Sequence, residues 1–172
     1  MSNEHAQLLT TIRHFITLPS HEEQVIEALF EKHFIKAGGF FLQAGEVCRY
    51  AAFVTKGLLR YYVLDDGEEH TYDFSPEQTF ACNYESFLTK TPSTRTIQAI
   101  EDTTLLRINY ENLQHLYHSL EHGQEFGRLV AEQLFVDTLQ KLTSFYRALP
   151  TSDTTIFFGS IPVWRIGYLS MW

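Results

Sequence analysis

The chain has 172 residues, enough for one ordinary core of about 150 residues with little left for a second domain. Hydrophobic residues make up 44% and charged residues 20%, and no run approaches the roughly 18 apolar residues of a membrane-spanning helix. The formal net charge of −8 argues against polyanion binding by the chain as a whole, and after residue 150 Arg165 is the only basic side chain.

In chain order, Leu8, Leu9, Ile12, Phe15 and Ile16 carry the 3.6-residue period of an amphipathic helix over residues 5–18, which Pro19 ends. The amino terminus lacks the basic and apolar regions of a signal peptide. Ser20 followed by Glu23 is a capping-box pattern that opens a second helix bearing Val25, Ile26, Leu29 and Phe30. From residue 34 short β-branched and aromatic runs alternate with turn chemistry at Gly38-Gly39, Gly45, Gly57 and Asp65-Asp66-Gly67. "GLLRYYVLDDGEEHTYDF" predicts a hairpin tipped by Asp66-Gly67, with the surrounding acids solvated. "RTIQAI" and "TTLLRI" predict a second pair around Glu101-Asp102.

Roughly seven or eight strands are thus expected between residues 34 and 109, interrupted by one short helix, "NYESFLTK", at 83–90. The 14 Phe and 9 Tyr suit such a packed β structure. Helical periodicity returns in "NYENLQHLYHSL" and again over residues 121–148. There Ala131, Phe135, Leu139, Leu142, Tyr146 and Leu149 form a seam for another helix, either on the chain's own β domain or on a second subunit. Cys48 and Cys82 are too few for a disulfide framework and are expected to be reduced in a cytoplasmic chain.

This order of elements resembles the effector domain of the Crp/Fnr family of bacterial transcription regulators. "FLQAGEVCRYAAFVTKGLLRYYVLDDGEEHTYDF" resembles the family's first β-roll repeats, with Gly45 and Gly57 at the turns. "YESFLTKTPSTRTIQAIEDTTLLRINYENLQHLY" resembles the stretch that holds the phosphate-binding cassette and the helix after it. The match spans residues 20–148, and the wording of "YYVLDDGEEHTYDF" and "NYESFL" is most similar to the Bacteroidetes type. The resemblance implies an α+β fold: a jelly-roll-like antiparallel β-roll at 34–120, flanked by amino-terminal helices at 1–33 and a long dimerisation helix at 121–149.

It also implies a small anionic effector, such as a cyclic nucleotide, held near Asn83, Tyr84, Glu85, Ser86, Ser93, Thr94 and Arg95, and a homodimer through Phe135, Leu139, Leu142 and Tyr146. Members that bind cyclic AMP start a helix with Gly-Glu-Leu, whose glutamate takes the ribose hydroxyl, and use an Arg-Ser pair for the phosphate. Here Cys82-Asn83-Tyr84 and Ser93-Thr94 stand at those places, with Arg95 two residues beyond Ser93. Strand parity puts Arg95 on the interior face of Ile97 and Ala99, where it must meet an acid such as Glu85 or a ligand anion.

Other constellations are weaker. His115, His118 and His122, at i, i+3 and i+7, could share a helix face around zinc or haem, but solvated imidazoles are commoner and Gly123 suggests that the helix ends there. Two cysteines cannot supply the four ligands of the iron–sulfur cluster that some regulators carry. The His-x-His pair of a cupin is absent, as is a Gly-x-Ser-x-Gly elbow, so no metal or catalytic residue is assigned and the chain is not read as an enzyme.

The last residues, "IPVWRIGYLSMW", resemble the opening of the family's winged helix-turn-helix, so 150–172 is expected to be a truncated, degenerate or frame-altered remnant of that module. Complete members bind DNA, but one arginine in this stretch supplies neither phosphate contacts nor a groove-reading helix. A second reading is a ligand-free dimerising domain that pairs with full-length relatives.

Overall fold

In the computed structural model, which describes residues 3–148, eight strands form two four-stranded antiparallel sheets. The strands are β1 (Glu31–Ile35), β2 (Phe40–Leu42), β3 (Tyr50–Lys56), β4 (Leu59–Asp65), β5 (Glu68–Ser75), β6 (Phe80–Ala81), β7 (Thr96–Ala99) and β8 (Thr103–Asn109). One sheet runs β1-β8-β3-β6 and the other β2-β7-β4-β5. The helices are α1 (Asn3–Arg13), α2 (Glu23–Leu29), α3 (Tyr84–Thr89), α4 (Tyr110–Ser119) and α5 (Gly123–Ala148). This is the α+β architecture expected from the sequence.

In β3, Ala51 to Thr55 are buried without alternation; α1 and α3 both pack against this central strand. Phe53, Leu59, Ile97, Leu105 and Leu106 are fully buried, each contributing about 1.5–3 kcal/mol by leaving water. The β4–β5 hairpin turns on Asp66 (φ 50°) and Gly67 (φ 86°), the two positive φ values of a type I′ turn. Its outer strand β5 is exposed along most of its length, with Arg60 of β4 reaching across to Glu69 and Gln98. At the start of β4, Gly57 has φ 98°, and a Cβ there would lie 2.5 Å from Thr103 Oγ1. Only glycine fits that turn.

Four local expectations are corrected. The segments around Glu101-Asp102 do not pair: β7 lies between β2 and β4, while β8 lies between β1 and β3 in the other sheet. The short link carries the chain between layers, which a hairpin reading of local sequence cannot detect. The first helix ends at Arg13 rather than 18, and the following residues turn through bonds such as His14 N–H to Thr11 O. Ser20 begins a 3₁₀ turn (Ser20–Glu22), and no side-chain cap bond forms at that turn or at α2. The β structure begins at Glu31, since β1 is an edge strand whose solvent face carries charged residues.

The described chain divides into two units, through Leu129 and from Val130 onward. In the first, α4 and α5 approach so closely that a Cβ on Gly123 would meet Tyr117 O at 2.5 Å, so this glycine starts a helix instead of ending one. Phe126 is buried, edge-on to Phe15 and Phe80. In the second, the helix continues to Ala148, with Phe135, Leu139 and Leu142 at 65%, 46% and 43% exposure. The side chain of Tyr146 and residues 149–172, including the remnant of a DNA-binding module expected there, lie outside the described residues.

Candidate functional site

The short helix α3 and the turn after it form a cassette fastened at each end by side chains. Asn83 is buried at the amino end, where its side-chain oxygen accepts from Ser86 N–H. Its Nδ2 donates to Ser93 Oγ at 2.6 Å, tying the start of α3 to the turn that leads into β7. Lys90 closes the carboxyl end in the left-handed region (φ 58°), its N–H bonded to Ser86 O. Ser86 is buried, donates to Thr91 O at 2.6 Å and accepts from Cys48 N–H at 2.9 Å.

The turn is also held from the other side. Gly45 N–H donates to Ser93 O and Ser93 N–H donates to Glu46 O, so the 43–48 loop brackets the cassette. Ser93 Oγ accepts from Arg95 N–H at 2.9 Å and donates to Arg95 O at 2.7 Å. That local ring keeps Arg95 out of β7, which starts at Thr96. The expected interior placement of Arg95 is therefore wrong: its side chain is 42% exposed, because strand parity does not extend through the turn. The expected acid is present, with Glu85 Oε2 3.4 Å from the guanidinium.

The seven residues expected at the site thus gather around one cassette, in two layers. Asn83, Ser86 and Ser93 are buried and spend their polar atoms on its internal bonds. Glu85 and Thr94 are exposed, Arg95 is partly so, and Tyr84 is half-buried with burial pushing its hydroxyl well above the usual range. Sequence reading missed Tyr72 of β5, whose ring lies 5.8 Å from the Arg95 guanidinium carbon. Burial raises the Tyr72 hydroxyl and the Arg95 charge partly offsets that. Its signal was a cross-sheet approach, which no local pattern carries.

The histidines do not share one helix face. α4 ends at Ser119, so His122 lies beyond it and pairs with Glu125, while His118 bonds Gln114 O and His115 contacts Ser119. Among the described residues, no group of three or more His, Cys, Asp or Glu side chains is arranged to hold a metal ion, and no helix is long and apolar enough to cross a membrane.

Solved structures share this fold. The catabolite activator protein of Thermus thermophilus is 22% identical, with TM-score 0.61, over 78% of this chain and 63% of its own. A CooA mutant from Carboxydothermus hydrogenoformans is 18% identical, with TM-score 0.62, over 92% of this chain and 95% of its own. The regulatory domain of Toxoplasma gondii protein kinase A, solved with cyclic AMP, is 17% identical, with TM-score 0.57, over 67% and 45%. The chain spans about three-fifths of the length of the Thermus protein. No curated protein sequence matches it. The family model for the cyclic nucleotide-binding domain matches residues 32–120, just over half of the chain, and takes in every strand from β2 to β8, the α3 cassette and α4. The chain belongs to the cyclic nucleotide-binding domain family.

Proposed function

We propose that the β-roll is the effector-sensing domain of a Crp/Fnr-type transcription regulator and takes a small anionic, nucleotide-like ligand at the α3 cassette. The observation that carries this reading is Arg95: a half-exposed guanidinium beside the hydrogen-bonded cassette, paired only loosely with an exposed carboxylate. An arginine so placed can exchange that carboxylate for a phosphate and present parallel donors to it. Asn83, Ser86 and Ser93 shape the cassette, Thr94 and Glu85 border the anion, and Tyr84 and Tyr72 supply apolar surface for a base. The Gly-Glu-Leu and Arg-Ser anchors of cyclic AMP binders are replaced here, so the ligand pose differs from theirs.

The same reading makes α5 a homodimer helix, since Phe135, Leu139 and Leu142 leave an apolar seam in water. In a complete regulator, ligand binding would bias the helix pair and so re-aim the DNA-binding modules. The exposed seam equally favours a second reading, a dimerising module that pairs with full-length relatives and needs no ligand. Co-expression with an intact relative separates them: a stable mixed dimer supports the second.

The first test is a thermal melt of the purified chain with millimolar cyclic AMP and related cyclic and linear nucleotides. A ligand at about 100 times its Kd stabilises by about 2.7 kcal/mol, a rise of roughly 5–10 °C for a domain of this size. A rise with one nucleotide supports the sensing reading. No rise with any nucleotide counts against a nucleotide ligand and leaves another effector or dimerisation alone as the function.

A further inference from the structure

The two cysteines, distant in sequence, converge beneath α3. The pairing of Ala52 with Ala81 brings Cys82 alongside the strand into which Cys48 leads. Cys48 Sγ donates to Tyr50 O at 3.3 Å, and Cys82 Sγ reaches the same oxygen at 3.8 Å. Both thiols are free and buried, at 3% and 8% exposure. Their surroundings split them chemically. A hydrogen bond from Cys82, opposed by burial and aided by bonds from the Asn83 and Tyr50 backbone, brings the Cys48 thiol down to about 7. Burial pushes Cys82 up, with the bond to Cys48 adding to it. Cys48 is therefore the more readily ionised of the two while its neighbour keeps its proton, the asymmetry of an attacking and a resolving thiol.

We propose that Cys48 and Cys82 form a reversible dithiol–disulfide site that takes a peroxide as its oxidant and, once closed, alters the α3 cassette. The Cys48 thiolate attacks one peroxide oxygen, the O–O bond breaks, and the leaving hydroxide takes a proton to become water. Cys48 is then a sulfenic acid. The Cys82 sulfur attacks the Cys48 sulfur, the S–O bond breaks, and the departing hydroxyl leaves as a second water with the Cys82 proton. Two thiols are oxidised by two electrons in all, and one hydrogen peroxide is reduced to two waters.

The site is wired to the cassette by the chain itself. Cys82 adjoins Asn83, which caps α3 and bonds Ser93, and the Cys48 N–H bonds Ser86 Oγ. Drawing the sulfurs to a bond of about 2.05 Å pulls on both anchors together. The effect on ligand binding rests on the sensing reading above, whereas the disulfide does not.

The experiment treats the reduced full chain with hydrogen peroxide, quenches it with an alkylating agent and measures intact and peptide masses. The expected result is loss of two hydrogen atoms, both thiols closed to alkylation, reversal by dithiothreitol, and no such loss in Cys48→Ala or Cys82→Ala. Two alkylatable thiols after treatment, oxygen adducts alone, or a disulfide joining two chains would overturn it. The wild-type masses decide this even where a variant fails to fold. Nucleotide affinity of the closed form is expected to differ from that of the reduced form by roughly fivefold or more. Equal affinities overturn the coupling, while absence of any nucleotide response in both forms counts against the sensing reading and leaves the disulfide result intact.

Discussion

The Arg95 guanidinium stands 3.4 Å from the Glu85 carboxylate, on the surface of the cassette and with both groups in contact with water. An ion pair in such a setting contributes about 0–1 kcal/mol, so its two members are free to serve a ligand at little structural cost. Arg95→Gln is expected to move the melting midpoint of the free protein by no more than about 2–4 °C and to abolish its nucleotide response. Glu85→Gln is expected to tighten nucleotide binding roughly two- to fivefold, since it removes the competitor for the guanidinium. Melts and calorimetric titrations of both variants check this. A large loss of stability in Arg95→Gln, with nucleotide binding unchanged, would make the arginine structural.

Asn83 is the converse case, a buried side chain with both ends engaged. Asn83→Ala removes the α3 cap and one of the two donors to Ser93 Oγ, an expected cost of about 1–3 kcal/mol. Asn83→Asp keeps the cap acceptor and loses the amide donor, so its loss is expected to be smaller. Urea unfolding curves of the two variants give the order directly, and an alanine variant as stable as wild type would show that the cap is dispensable.

What the sequence made legible was whatever a few neighbouring residues decide. Asp66-Gly67 announces its hairpin because both residues tolerate positive φ, and "NYESFLTK" reads as a short helix in its place between strands. Arg95 was misplaced because parity arguments assume an extended chain, whereas the Ser93 hydroxyl bends the backbone just before the strand. The passage from β7 to β8 was read as a hairpin because the choice between pairing and crossing lies in remote partners: β2 and β4 for one strand, β1 and β3 for the other. The meeting of Tyr72 with Arg95, and of Cys48 with Cys82 at Tyr50 O, depends on those same remote pairings. Local chemistry thus yields the elements and the cassette's position, and the sheet order supplies who faces whom.

Stability is expected to fall with acid in a window set partly by His33 of β1. Partial burial, and then the Arg107 charge, hold its imidazole below the usual 6.5, with Glu31 opposing them. The unfolded chain therefore binds a proton at a higher pH than the folded one does. The contribution of His33 is fully present above pH 6.5 and is lost as pH falls from there through the lowered folded value. His33→Gln is expected to flatten the decline between about pH 7 and 5.5. Urea midpoints of wild type and variant across that range check the sign; a steeper decline in the variant would mean that the charged imidazole is the favoured folded form.

The seam on α5 gives the last expectation. Phe135, Leu139 and Leu142 follow at steps of four and three residues, so they lie on one stripe of the helix, and all three are exposed. If two copies cover this stripe, charge placed in it must be desolvated on association, which costs several kcal/mol per subunit. Phe135→Glu and Leu139→Glu are each expected to convert a dimer into a monomer in sedimentation velocity runs at micromolar concentration. The β-roll lies in the other unit, so its circular dichroism and melting are expected to change little beyond the loss of linkage to dimerisation. Substitution of exposed Gln140, off that stripe, is expected to leave the dimer intact. A wild-type chain that already sediments as a monomer would remove the homodimer and leave the apolar stripe to a different partner helix.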